Sequence, residues 1–148
     1  MKVAIYIRVS TEEQEKENQN VYFEKIKSSV DEMIKAGENI KGSNLIIRSL
    51  ENIDIASLRK LSDLLKQKVK SGIFILGTKD PENASMVLSV TDDLVARGIK
   101  ANELMDQITP FMDGSGGGRP QLAQAGSRNP QKLDGALAQA REIVKAKL

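Results

Sequence analysis

Apolar residues recur along this chain with two spacings, and the spacing switches wherever glycine, proline or a short polar cluster interrupts it. Residues 2–9 (KVAIYIRV) are β-branched and nearly alternating, which predicts a strand, with Ser10, Thr11 and Glu13 capping the next turn or helix. Over 22–36, Tyr22, Phe23, Ile26, Val30, Met33 and Ile34 fall three or four apart, predicting an amphipathic helix that runs to Ala36 and stops at Gly37. Residues 44–50 read as a strand. A helix capped by Asp54 comes next, burying Ile55, Leu58, Leu61, Leu65 and Val69 and ending at Gly72. The unbroken apolar run 73–77 suits a buried strand. The polar turn 79–83 returns the chain through 86–91 as its antiparallel partner. Asn102 is expected to cap a short helix carrying Leu104, Met105, Ile108 and Phe111, which Pro110 bends or ends. Asn129 and Pro130 open a last helix with Leu133, Ala136, Leu137, Ala140 and Val144 on one face.

Strands mixed with helices, including one hairpin, predict an α/β fold with a mixed β-sheet flanked by helices and preceded by an amphipathic helix. The expected organisation is a leader strand with an acidic linker over 1–20, a linker helix over 21–37 and a globular domain over 38–148. There is no internal repeat.

Composition narrows the chemistry. The 148 residues include neither cysteine nor histidine. Disulfides, thiol nucleophiles, thiolate metal sites and histidine-based acid–base catalysis are therefore excluded. Five aromatic residues (Tyr6, Tyr22, Phe23, Phe74, Phe111) are too few for a base-stacking platform of the RRM or OB type. No apolar run approaches the roughly 20 residues that cross a bilayer, and no signal peptide is recognisable. The expectation is a cytoplasmic protein without membrane contact, cofactor or metal. The net charge is +2, unevenly spread: 11–24 is acidic, whereas 41–72 and 116–148 are both basic. If the two basic segments meet in space, they form a patch able to neutralise phosphates; if not, they are ordinary solvated faces.

Glycine fills four of the five positions 114–118, with Arg119 next. Backbone amides unshielded by Cβ atoms can be aimed at an anion, and a guanidinium can grip a phosphate with a planar fork of donors. The last helix, flanked by Arg128 and Lys132, adds a second anion-friendly terminus. The competing reading is a flexible loop between a helix and an edge strand. The GxxxxGK[ST] pattern is absent, so nucleotide hydrolysis has no support.

The run Gly116-Gly117-Gly118-Arg119-Pro120, then Leu122-Ala123-Gln124-Ala125-Gly126, then Asn129-Pro130-Gln131-Lys132-Leu133, resembles the C-terminal, DHHA1-type domain of alanyl-tRNA synthetases, shared with DHH phosphoesterases. The resemblance covers about 38–148. It implies a non-catalytic module that binds the outer corner of tRNA, alanine tRNA by extension, and assists dimerisation, here through the 22–36 helix. Gly116, Gly117, Gly118, Arg119, Arg128, Lys132 and Lys145 are the expected nucleic-acid contacts. Gln121 stands where the family usually has an acidic residue and Ser127 where glycine is common. Arg119 occupies the place of the phosphoesterases' histidine. A second resemblance is confined to 1–14: Tyr6, Arg8 and Ser10 look like the start of a serine recombinase, whose serine attacks a DNA phosphate. The arginine cluster such a nucleophile needs has no counterpart after Gln14. Two readings stand beside RNA binding: a protein–protein module that dimerises without nucleic acid, and a recombinase fragment using Ser10.

Overall fold

The computed structural model describes Glu24, Ser28, residues 30–51 and residues 53–148. Among the described residues six strands form one sheet: β1 (Glu38–Ile40), β2 (Ser43–Glu51), β3 (Gly72–Lys79), β4 (Ala84–Val90), β5 (Gly114–Gly118) and β6 (Leu122–Ser127). Their spatial order is β1-β2-β3-β4-β6-β5. Only β2 and β3 pair in parallel, and the helix α2 (Ile55–Lys68) makes the crossover between them. Helix α1 (Val30–Ala36) precedes the sheet, α3 (Asp92–Ala96) and α4 (Ala101–Ile108) link β4 to β5, and α5 (Leu133–Lys147) closes the chain.

The apolar run of β3 has a use on each side. Ile73 and Ile75 face one way and join Leu45, Met86, Leu88, Ala123 and Ala125 against α4 and α5. Phe74 and Leu76 face the other and join Ile46 and Val87 against Leu58, Leu61 and Leu65 of α2 and Val30 and Met33 of α1. Both faces of the central strands are thus dry, so no alternation was available there to be read. The result is the expected α/β architecture, a mixed sheet between two helical layers.

Helix α2 starts where predicted, with the Asp54 carboxylate accepting from the Ser57 amide at 3.3 Å. It stops at Lys68 rather than at Gly72, because buried Val69 turns extended and Gly72 begins β3. A Cβ at Gly72 would lie 2.7 Å from the Asn44 carbonyl oxygen, so this glycine serves strand packing and not helix termination. Asn102 is not a cap. Lys100 holds that place, because the buried Ala101 donates its amide to the Pro120 carbonyl at 2.8 Å and draws the helix start forward. Pro110 does end α4, in a 3-10 turn over Thr109–Met112. The 114–118 glycines are strand β5, not a loop. Two short elements, β1 and α3, have three and five residues, too few for a periodic signal. The predicted strand 2–9, with Tyr6, Arg8 and Ser10, lies outside the described residues, as do the first turns of the 22–36 helix apart from Glu24 and Ser28, which are helical.

Candidate functional site

Among the described residues strand β5 is the last in the sheet, paired with β6 on one side only. The hairpin closes at Arg119 and Leu122, which exchange both backbone hydrogen bonds, at 2.8 and 3.2 Å. Antiparallel partners alternate between bonded and non-bonded pairs. Counting back from that closure, Gly117 and Ser115 spend their amides and carbonyls on β6, whereas Gly118, Gly116 and Gly114 turn theirs to the free edge. Of the three glycines singled out, two are therefore open donors. Gly117 is not, and Gly114 takes its place.

Sterics explain the composition of this strand. A methyl group at Gly116 would lie 2.6 Å from both Cα and Cβ of Ala125, one at Gly118 2.6 Å from Ala123 Cα, and one at Gly114 2.5 Å from the Gly126 carbonyl oxygen. A Cβ at Gly117 would meet nothing within 4 Å. Alternate positions need glycine so that β5 can lie against β6 at this distance. What remains is about 13 Å of partly to fully exposed main chain, four strand rises long, on which only Ser115 carries a side chain.

The two ends of this edge differ in charge. At the Arg119 end, Lys66 of α2 donates to the Gln121 carbonyl at 3.3 Å, and the bond from Ala101 to Pro120 sets Lys100 beside the same turn. One cation of the basic segment 41–72 thus reaches the segment 116–148 here. Sequence reasoning missed Lys66 and Lys100 as members of this group; only the sum of charge over 41–72 signalled the first. At the other end Arg128 is exposed, but Asp80 and Asp113 line the same open groove. Asp113 sits in the left-handed region at φ 52° and fixes the local turn: its carboxylate accepts from Lys132 Nζ at 2.5 Å and from Asn129 Nδ2 at 2.9 Å. Those bonds, the one to Lys132 foremost, hold the Asp113 carboxyl below the usual range. The Ser127 hydroxyl, at the position where the resemblance leads one to expect glycine, donates to the Met112 carbonyl at 2.5 Å and accepts from the Asn129 amide.

Lys145 does not belong to this surface. It lies 3.9 Å from Glu38, in β1 at the opposite edge of the sheet, where Arg141 also pairs with the same carboxylate. Val30 and Met33 of α1 are spent on the chain's own core, so these turns of the 22–36 helix offer no free apolar stripe to a partner. Among the described residues no cluster of carboxylates could hold a metal ion, and no helix is long and apolar enough to cross a membrane.

Known proteins share this geometry. The model of the DHHA1 domain matches residues 42–146. The alanine–tRNA ligase of Alkaliphilus metalliredigens (strain QYMF) is 34% identical over 138 residues, 93% of this chain and 16% of the ligase. That of Alkaliphilus oremlandii (strain OhILAs) is 34% identical over 134 residues, 90% of this chain and 15% of the ligase. The chain thus spans about a sixth of the length of these relatives. Among solved structures, the C-Ala domain of Aquifex aeolicus alanyl-tRNA synthetase superposes with a TM-score of 0.67 at 27% identity, covering 74% of this chain and 97% of that domain. A DHH-domain member of a family of ribosomal proteins shares the fold alone, with a TM-score of 0.51 at 14% identity, over 85% of this chain and 32% of that protein. Because the domain model spans most of the chain, and the C-Ala domain repeats its mixed sheet and flanking helices, the chain belongs to the DHHA1 domain family, in the form carried by alanyl-tRNA synthetases.

Proposed function

We propose that this domain binds structured RNA, tRNA in particular, as a non-catalytic module, through the free edge of β5 and the basic turn at its end. The observation that carries the reading is the outward row of Gly114, Gly116 and Gly118 amides running into Arg119, Lys66 and Lys100. Phosphate and 2′-hydroxyl oxygens accept such donors without regard to base identity, which suits recognition by shape. The similarity to alanine–tRNA ligases and to the C-Ala domain points to tRNA as the substrate class. In this reading Gly116, Gly118 and Arg119 are direct contacts. Gly117, whose amide is spent on β6, is not a contact, and Arg128 with Lys132 forms a weaker second contact because carboxylates share its ground.

Filter-binding titrations of tRNA over a salt series test this. Three neutralised phosphates give a log–log slope of about −2 to −3, and Arg119→Ala flattens it by roughly 0.7 to 0.9 while lowering affinity. Lys145→Ala, at the far edge, leaves both unchanged. No tRNA binding by the unaltered chain, or a slope near zero, overturns the proposal.

A further inference from the structure

Phe111 is the one large apolar side chain exposed among the described residues, at 45%. A half-exposed phenylalanine alone is ordinary. Its surroundings are not those of an idle surface residue. It sits in the 3-10 turn that leads directly into β5 and packs beside it, three residues before Gly114. That turn is braced on several sides. Met112 is fully buried, its carbonyl accepts from Ser127 Oγ, and the next residue is clamped by Asn129 and Lys132. Pro110 restricts the backbone on the near side. The chain therefore spends a set of specific bonds on holding a turn whose main exposed product is an aromatic ring.

A side chain carried on a turn whose backbone is already braced requires little main-chain ordering on binding, which favours its contribution to a contact. Its place matters too. Phe111 lies at the end of β5 away from Arg119, two residues before Asp113, which with Asp80 lines an open groove less favourable to phosphate than the Arg119 end. A nucleobase has a π-face and no charge, so it suits this end as phosphates suit the other.

We infer that Phe111 is a stacking contact for one unpaired or loop nucleobase of the RNA whose backbone lies along β5. The inference rests on the RNA-binding reading and adds to it a requirement: the ligand presents an accessible base face within about one strand length of the phosphates held at Arg119. Double-stranded RNA without loops, whose bases are covered, lacks this contact.

The full chain contains no tryptophan, so Phe111→Trp creates a single fluorescent reporter at the site. The expected result is that Phe111→Trp binds tRNA as the unaltered chain does, with its emission quenched as the base stacks. Phe111→Leu, which keeps apolar bulk for the fold, weakens binding about 5- to 150-fold, the range that stacking of one base confers. The salt slope stays unchanged, because no charge is removed. Equal affinity of the leucine variant with unaltered tryptophan emission at saturation overturns the inference while leaving RNA binding in place. Absence of tRNA binding by the unaltered chain overturns the underlying reading instead.

Discussion

Gly116 and Gly117 are chemically identical neighbours on one exposed strand, and the structure assigns them opposite tolerance. A Cβ on Gly116 falls 2.6 Å from Ala125 Cα and Cβ, which are main chain and a rigid methyl that cannot rotate away. Relief requires β5 to move off β6, weakening a ladder of five residue pairs. Overpacking of a well-fitted contact costs about 1–3 kcal/mol, and a clash against backbone belongs at the upper part, about 2–3 kcal/mol. For a chain of this size that corresponds to a melting temperature lowered by about 4–12 °C. A Cβ on Gly117 meets nothing, and its backbone is outside the left-handed region, so Gly117→Ala is expected within about 0.5 kcal/mol of the parent. Thermal unfolding by circular dichroism reads the two variants side by side. Amide exchange at Ser115, which donates toward β6, localises the effect: it accelerates by roughly 30- to 150-fold in Gly116→Ala only. Equal melting temperatures, or a larger loss in Gly117→Ala, would refute the alternation of open and closed positions on which the candidate site is built.

Two further predictions concern the frame around the site. Asp113 titrates below the usual carboxylate range in the folded chain because Lys132 and Asn129 bind its ionised form. Its contribution to stability is therefore complete above the ordinary aspartate pKa of about 3.9 and is lost as pH falls through the lowered folded value; Asp113→Asn removes that acid-sensitive component, seen as a shallower fall of melting temperature below about pH 4. The Thr91 hydroxyl accepts from the buried Gly72 amide at 3.0 Å and donates to Asp93 at 2.5 Å, so Thr91→Val leaves that amide unpaired and costs about 1–3 kcal/mol in urea unfolding, whereas Thr91→Ser costs less than half as much.

The parts of the fold that were legible in the sequence are those where one local signal decides. Asp54 followed by the Leu58, Leu61 and Leu65 spacing names a helix start and its buried face, and the 73–77 run names a strand, because cap chemistry and apolar periodicity act over a few residues. The glycine segment was legible as main chain without side-chain cover but not as a strand. Glycine has low strand propensity, and what makes it extended here is pairing with Ala123 and Ala125, which propensity does not register. The same limit hid the members of the basic turn. Lys66 and Gln121, two residues past Arg119, are 55 positions apart and meet because β4 pairs with β6, bringing the Gln121 carbonyl within reach of α2. Lys145 looks equivalent to Lys132 by charge, yet they stand at opposite ends of α5, and Glu38 at the β1 edge claims the first as Asp113 before β5 claims the second.

An open sheet edge ordinarily invites another strand, and proteins commonly defend such edges with lysine, proline or a bulge. Strand β5 carries none of these within Gly114–Gly118. Its defence is poverty of side chains: an incoming polypeptide would find hydrogen bonds but no methyls or rings to lie against, and cross-strand side-chain pairs are what make added strands adhere. A ligand that is rich in oxygen acceptors, and needs no side-chain embrace, is not penalised in that way. On the function proposed above, the same glycines would disfavour an added polypeptide strand while leaving the edge available to a polyanion.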